Sequence, residues 1–519
     1  MTMAMEFAIA GIVAAAVALL ARQRGYGIAL PLLASGLVIG LLPIGPDAPP
    51  EPEVILICIL APLVFGEALQ SSYLDLRRVR RPIMALAVGL VVITTAAVAV
   101  VGSSLVAGLT LSGAVALGAI LAPTDAVAVS AVARRANLPR RLVSVLEGES
   151  LVNDGTGLTL LRVAVIVAVA GTTTAGAVTV TFLVAVLGGV LIGLIAGWVL
   201  VMVIRRSRDT IAANAVVIVA PFPIYLISEE ARGSGVLSIV VAALMVAHAM
   251  TSDTSFRGRL QSGHTWRHLT FLLQAFAFML LGLELPATIQ ALDDAQRMTL
   301  LVLVPVLVVV LFATRAGFVA LMMASSRQAH LGWRQWLIIS WAGARGPVSG
   351  MAAFSIPLTI DGGVSFPGRE LILAATLSVI AVTIVLSTTL TPLARRLNLP
   401  ADDDRELLAT ASARLARAAL TRLDALVEDA ERTGEPLPES IVEAFRQVAE
   451  SRSTRATRAL EGQVAQTATL RQQVARSMLA AERDELLRMR DELGMPDSVT
   501  RAILAEIDTR EAAIANWRS

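Results

Sequence analysis

Apolar windows long enough to cross a bilayer recur from near the start of the chain to about Leu397. Their pattern predicts thirteen spans, roughly 5–21, 25–42, 54–72, 82–108, 111–134, 141–171, 174–204, 210–231, 235–252, 266–288, 298–326, 334–358 and 369–396. Arginines gather at every second connection: Arg22/Arg24, Arg77/Arg78/Arg80/Arg81, Arg134/Arg135/Arg140/Arg141, Arg205/Arg206/Arg208, Arg257/Arg259/Arg267, Arg327/Arg334 and Arg395/Arg396. The connections between them are poor in arginine or acidic, as at Asp47 to Glu53, Glu229/Glu230, Asp293/Asp294 and Asp361. The positive-inside rule then puts the N-terminus outside and the C-terminus in the cytoplasm, which requires an odd number of spans. Met1 to Leu20 has no basic leading region and no clear cleavage site, so it reads as a retained first span. Two spans carry helix breakers, Pro123-Thr124-Asp125 in span five and Gly343-Ala344-Arg345-Gly346-Pro347 in span twelve. Breaks seven spans apart, each beside a charged residue, predict two inverted six-span halves joined by a linking helix, with a binding site where the breaks meet.

Composition agrees with a membrane protein: 519 residues, 55% hydrophobic, mean hydropathy +0.72. The net charge of +2 argues neither for nor against nucleic acid, none of which is expected as a partner, and the single cysteine, Cys58, leaves no disulfide framework. The character changes after Pro400, and 22 of the 41 acidic residues lie from residue 398 onward. Two domains are therefore expected, a membrane domain over 1–397 and a cytoplasmic helical domain over 398–519. The tail predicts helices at roughly 403–432, 440–463, 468–493 and 498–516. Ser440-Ile441-Val442-Glu443 reads as a capping box and Gly494 with Pro496 as a stop. Leu470, Val474, Leu479, Leu486 and Leu487 form an apolar stripe. With no Gly-rich nucleotide loop or metal-ligand cluster, the tail reads as a packing or dimerisation module.

The chemistry lies in the few charges inside the spans: Glu67, Asp125, Glu147, Glu149 and Asp154, with Glu284 near one end, and the bases Arg315 and Arg345. Each charge at mid-membrane costs roughly 2.5–3.5 kcal/mol on insertion, so such groups face an interior or a wet cavity and pair with one another. Glu149 suits a pair with Arg315 or Arg345, but two arginines cannot neutralise five carboxylates. At least one carboxyl must be protonated, hydrated or cation-bound. The densest stretch is Leu146-Glu147-Gly148-Glu149-Ser150-Leu151-Val152-Asn153-Asp154-Gly155, where Ser150 and Asp154 share a helical face. Hydroxyl and carboxylate oxygens are ligands for a hard cation such as Na+, and a carboxyl alternating between proton and cation is what a proton-coupled carrier needs.

Other classes fit less well. An intramembrane aspartyl protease would use Asp125 and Asp154, yet the second aspartate lacks a preceding Gly-x-Gly. His248, His264, His268 and His330 show no His-Glu-x-x-His spacing. A channel would repeat a filter loop or a ring of charges, and a receptor would need an output domain. The chain therefore reads as a transporter rather than an enzyme.

The ordered motifs "LAPTDAVAVSAV", "LEGESLVNDGTGL" and "WAGARGPVSGMAAFSIP", with "SGVLSIVVAALMVAH" and "FMLLGLEL" between them, resemble the bacterial NhaP-type sodium–proton antiporters, relatives of the animal sodium–proton exchangers. The resemblance covers about residues 5–397. It implies an all-α polytopic fold with two discontinuous, crossing helices, in which spans 1–3 and 8–10 are scaffold and spans 4–6 and 11–13 a moving core. It implies that Asp154 binds cation and proton alternately, with Ser150 Oγ and the Thr124 carbonyl completing a Na+ site. Asn153, where electrogenic relatives carry Asp, implies one proton per cation. Asp125 and Arg345 would compensate the helix breaks, and Glu149 would pair with Arg315. Glu67 lies one place from the acid of the family's usual "LLFE" pattern, and Gln274 stands where Asn is usual. The expected partners are Na+, Li+ or K+, protons, the bilayer of the cytoplasmic membrane and a second copy in a homodimer. No cofactor is implied, and K+/H+ exchange is the alternative to Na+/H+ exchange.

Overall fold

The computed structural model describes residues 3–42, 52–125, 138–170, 174–207, 209–253, 256–325, 332–359, 366–399, 404–433, 437–460, 465–493, 503–504 and 506–511. It divides into two compact units, Met1–Ala401 and Asp402–Ser519. Among the described residues the fold is all-helical.

In the first unit α1 (Met3–Gln23) and α2 (Ala29–Gly40) lead to α3, which runs from Pro52–Ile55 through a π-helical turn at Leu56–Leu60 into Ala61–Gln70. A short helix, α4 (Tyr73–Arg78), is capped by the Ser72 hydroxyl and precedes α5. That helix also contains a π-helical turn, Ala85–Leu90, between Arg80–Met84 and Val91–Leu105. Next come α6 (Leu111–Leu121), α7 (Arg140–Ala170) and α8 (Ala175–Arg206). Helix α9 joins Thr210–Val219 to Pro221–Glu230 and is followed by α10 (Gly235–Asp253), α11 (Phe256–Gln290) and α12 (Asp294–Ser325). The unit closes with α13 (Trp333–Trp341), α14 (Pro347–Phe354), α15 (Arg369–Ser387) and α16 (Leu390–Leu397). Each predicted apolar window contains a helix, although the second half of span five falls outside the described residues. Among the described helices seven are individually long and apolar enough to cross a membrane, while α1, α2, α3, α6 and α10 are shorter apolar helices.

The closest packing gathers into two groups. In one, α2 lies along α11, and α3 packs on α10 and α11. In the other, α6 sits between α5 and α7, and α12 packs on α5, α13 and α15. The α2–α11 seam brings backbone against backbone: a Cβ on Gly36, Gly40 or Gly282 would run into the carbonyl of Met279, Leu283 or Leu33 respectively. Such close approach is how helices associate where lipid removes the hydrophobic drive between them. Helix α8 is the most outward-facing, exposing Leu187, Leu191 and Trp198, the apolar surface that hydrocarbon demands.

In the second unit α17 (Asp404–Thr433) packs on α18 (Glu439–Leu460), with Arg446 paired to Asp424 at 2.8 Å. Ile441 and Val442 both donate to the Pro438 carbonyl, so Pro438 opens α18 and Ser440 lies inside its first turn rather than capping it. Helix α19 (Ala465–Leu493) buries Leu479 and Leu486 against Ile507, while Val474 of the expected stripe is exposed. Arg483 binds Asp508 and Glu511 across this seam, and the two carboxylates hold its guanidinium pKa above the ordinary value.

Candidate functional site

Helix α6 ends at Leu121, and its chain is non-helical through Pro123, Thr124 and Asp125. Helix α13 ends at Trp341, and its chain is non-helical from Ala342 to Gly346, after which α14 begins. The two breaks meet directly: the Asp125 N–H donates to the Ala344 carbonyl at 2.9 Å. Arg345 Nε donates to the Leu121 carbonyl at the end of α6 at 2.8 Å, and its guanidinium also reaches the Gly343 carbonyl. In return the Asp125 carboxyl stands against Gly346, immediately before α14. A Cβ at Gly346 would lie 2.7 Å from Asp125 Oδ1, so the approach needs glycine. Each broken helix end thus receives from the other break the charge its dipole and orphan groups favour, a base at the carbonyl end and an acid at the amide end.

Helix α7 passes beside this crossing with its polar face turned in. Ser150 Oγ donates to the Thr124 carbonyl at 2.8 Å. Asn153 Nδ2 donates to Thr124 Oγ1 at 3.1 Å, and that hydroxyl donates to Glu149 Oε1 at 3.2 Å. Glu149 forms a two-pronged pair with Arg315 of α12 (Nη2 to Oε2, 2.9 Å), and Arg315 Nε donates to the Ile339 carbonyl at 2.7 Å. Both members are buried, with side chains 2% and 1% exposed.

Asp154 is buried on the same face as Ser150, yet among the described residues no hydrogen bond or ion pair reaches its carboxyl. Its electrostatic neighbours are Glu67 and Asp125, both acids. Glu67, on α3, accepts from Gln274 Nε2 of α11 at 3.0 Å, so the residue in the unusual register is held by the residue of unusual type. Asn153 Oδ1 is buried and, among the described residues, has no hydrogen-bond partner. Thr124, Asp125, Glu149, Ser150, Asn153, Asp154, Arg315 and Arg345 therefore form one cluster, with Glu67 in electrostatic reach. It offers a carboxyl, a hydroxyl and a carbonyl as hard oxygen ligands for a small cation.

One intramembrane base escaped the sequence reading. Arg162 lies in α7, two turns beyond Asp154, and pairs with Glu229 at 3.0 Å. A count of every arginine within the predicted spans would have found it.

Residues 10–396 match the family model described as sodium/hydrogen exchanger, transmembrane. The chain is 33% identical over 412 residues to a protein of Mycobacterium tuberculosis named an uncharacterised Na+/H+ exchanger, covering 77% of this chain and 75% of that protein. It is 30% identical over 387 residues to the sodium, potassium, lithium and rubidium/H+ antiporter of Bacillus subtilis, covering 70% and 58%. Its fold is similar to a sodium–proton antiporter structure from Methanocaldococcus jannaschii, with a TM-score of 0.62, 18% identity and coverage of 75% of this chain and 97% of that one. The chain thus belongs to the sodium/hydrogen exchanger family, as a multi-pass cation/proton antiporter of NhaP type whose transported ions are substrates and which needs no cofactor.

Proposed function

We propose that this chain exchanges Na+ or Li+ for H+ across the cytoplasmic membrane, one for one, by exposing Asp154 alternately to the two sides. The observation that carries the reading is a buried carboxyl without hydrogen bond or ion pair among the described residues, one turn from Ser150 and beside the broken backbone at Thr124. An ionised carboxyl in apolar surroundings is costly unless a proton or a cation neutralises it. Only loaded states therefore cross, and exchange follows from that restriction.

To take Na+, the Ser150 hydroxyl rotates its proton away from the Thr124 carbonyl so that both oxygens and the Asp154 carboxylate face the ion. Asn153 Oδ1, an acceptor without a partner among the described residues, is adjacent. Asn153 carries no charge and Glu149 is neutralised by Arg315, so one titrating group serves each cycle and no net current flows. In this reading spans 1–3 and 8–10 are the fixed scaffold and the surface of a homodimer, while spans 4–6 and 11–13 move. The transport domain is residues 1–397, with the N-terminus outside and the 398–519 domain in the cytoplasm. K+/H+ exchange is the second reading, favoured by the potassium in the name of the Bacillus subtilis relative.

The test is ion flux in proteoliposomes under a pH gradient, comparing Na+, Li+ and K+. Asp154→Asn should abolish exchange at unchanged thermal stability, because the amide cannot ionise. Exchange persisting in that variant would sink the site, and a rate that follows an imposed membrane potential would sink the stoichiometry.

A further inference from the structure

Gly155, Thr159 and Arg162 lie four and seven residues apart on one face of α7. All three face the turn between α9 and α10. The Gly155 position meets Leu237, and Thr159 Oγ1 donates to Ser234 Oγ at 3.1 Å. The Arg162 guanidinium reaches the Gly233 carbonyl, donates to the Glu229 carbonyl at 3.2 Å and pairs with Glu229 Oε2 at 3.0 Å. Glu229 Oε1 in turn accepts the Gly235 N–H at 2.9 Å. Arg162 thus caps the end of α9 with a charge suited to its carbonyl terminus.

The turn itself is built tightly. Gly233 N–H donates to the Ser228 carbonyl and Arg232 N–H to the Glu229 carbonyl, with Arg232 at φ +59°. That left-handed conformation, usually filled by glycine, costs a residue with a Cβ. Such a turn is a defined seat rather than a slack loop.

We propose that this seam is a latch on the α7 C-terminal side of the ion site, closed in the structure and opened in each transport cycle. The inference rests on the reading that Asp154 changes sides. Arg162 stands eight residues from Asp154 on a continuous helix, about 12 Å along its axis. If α7 moves against α9 and α10, hydrogen bonds of this length break within about an ångström of sliding. The seam is chemically suited to that. The Arg162 and Glu229 side chains are 24% and 34% exposed, so water can take over their hydrogen bonds when they part. By the positive-inside reading this is the outer side, so the closed latch denies Asp154 to the outside.

The test joins the two sides covalently. Thr159→Cys and Ser234→Cys are combined with Cys58→Ala in the full-length protein, and exchange is measured in proteoliposomes before oxidation, after it and after reduction. Hydroxyls 3.1 Å apart place the two thiols within disulfide reach. The expected result is exchange in the reduced protein, at least a tenfold loss once the pair is oxidised, and recovery with reductant. Undiminished exchange by the cross-linked protein overturns the latch, as does failure of the pair to cross-link. In a second arm, Arg162→Gln should raise apparent Na+ affinity from the outside several-fold relative to the inside. Unchanged affinities on both sides overturn the proposal too. The parent protein in the same vesicles keeps the readings separate: if it exchanges no cation, antiport itself fails. If it exchanges and the cross-linked pair does so equally, only the latch fails.

Discussion

Helix α7 carries two arginine–glutamate pairs, and they differ in kind. Glu149 with Arg315 is sealed, 1% and 2% exposed, and further bonded to Thr124 and the Ile339 carbonyl. Arg162 with Glu229 sits at the rim, a quarter to a third exposed, and its remaining bonds go to backbone carbonyls and one backbone N–H of the same turn. Parting the first leaves a charge in an apolar interior with no substitute partner, so that pair must travel as a unit. Parting the second hands both groups to water at little cost. Position decides which ion pair is a fastener and which is a hinge pin that can be drawn.

The comparison is broken most forcefully at the sealed pair. Arg315→Ala or Glu149→Gln should cost about 3–5 kcal/mol of stability together with exchange. Thermal unfolding in detergent reads this directly, and parent-like melting of both variants would remove the distinction. Swapping the charges sharpens it. Arg315→Glu with Glu149→Arg should not recover, because the Ile339 and Thr124 bonds are lost with the original placement. Arg162→Glu with Glu229→Arg should recover a substantial part of the exchange lost in either single variant.

Between the two pairs lies Ser150, a ligand rather than a fastener. Ser150→Ala should leave stability near the parent and weaken apparent cation affinity about five- to tenfold, roughly 1–1.4 kcal/mol, as read from the Na+ dependence of flux. The smallest effect is expected at the rim, where Arg162→Gln should change melting stability by no more than about 1 kcal/mol. A loss as large as that of Arg315→Ala would make the rim pair a second fastener.

What was legible in the chain follows from what lipid punishes. Apolar length, arginine alternation and the two breakers at Pro123 and Gly346–Pro347 were plain because each is forced by hydrocarbon. The same pressure made Glu149, Asp154, Arg315 and Arg345 stand out. The partner choice was less legible: Glu149 suited either arginine by charge alone, and only the folded position of α12 brings Arg315 to it while Arg345 turns to the Leu121 carbonyl. The Glu67–Gln274 bond joins residues 207 apart, and nothing local in either segment announces it. In the tail, where water tolerates either face of a helix, the stripe pattern mistook Val474 for a buried position and the capping-box motif mistook Ser440 for a cap.

The glycine seam between α2 and α11 has a consequence for heredity. At Gly36, Gly40 and Gly282 a carbonyl occupies the space a Cβ would need. Every single-base change in a glycine codon that alters the residue either adds a Cβ or stops translation. No gentle first step away from these residues exists, since even alanine must push two backbones apart. A lineage can therefore exchange leucine for valine across most of this bundle by small increments, while these three positions are reachable only by a jump that first loosens the packing. The seam should be among the slowest-changing parts of the protein, for reasons that involve neither cation nor proton.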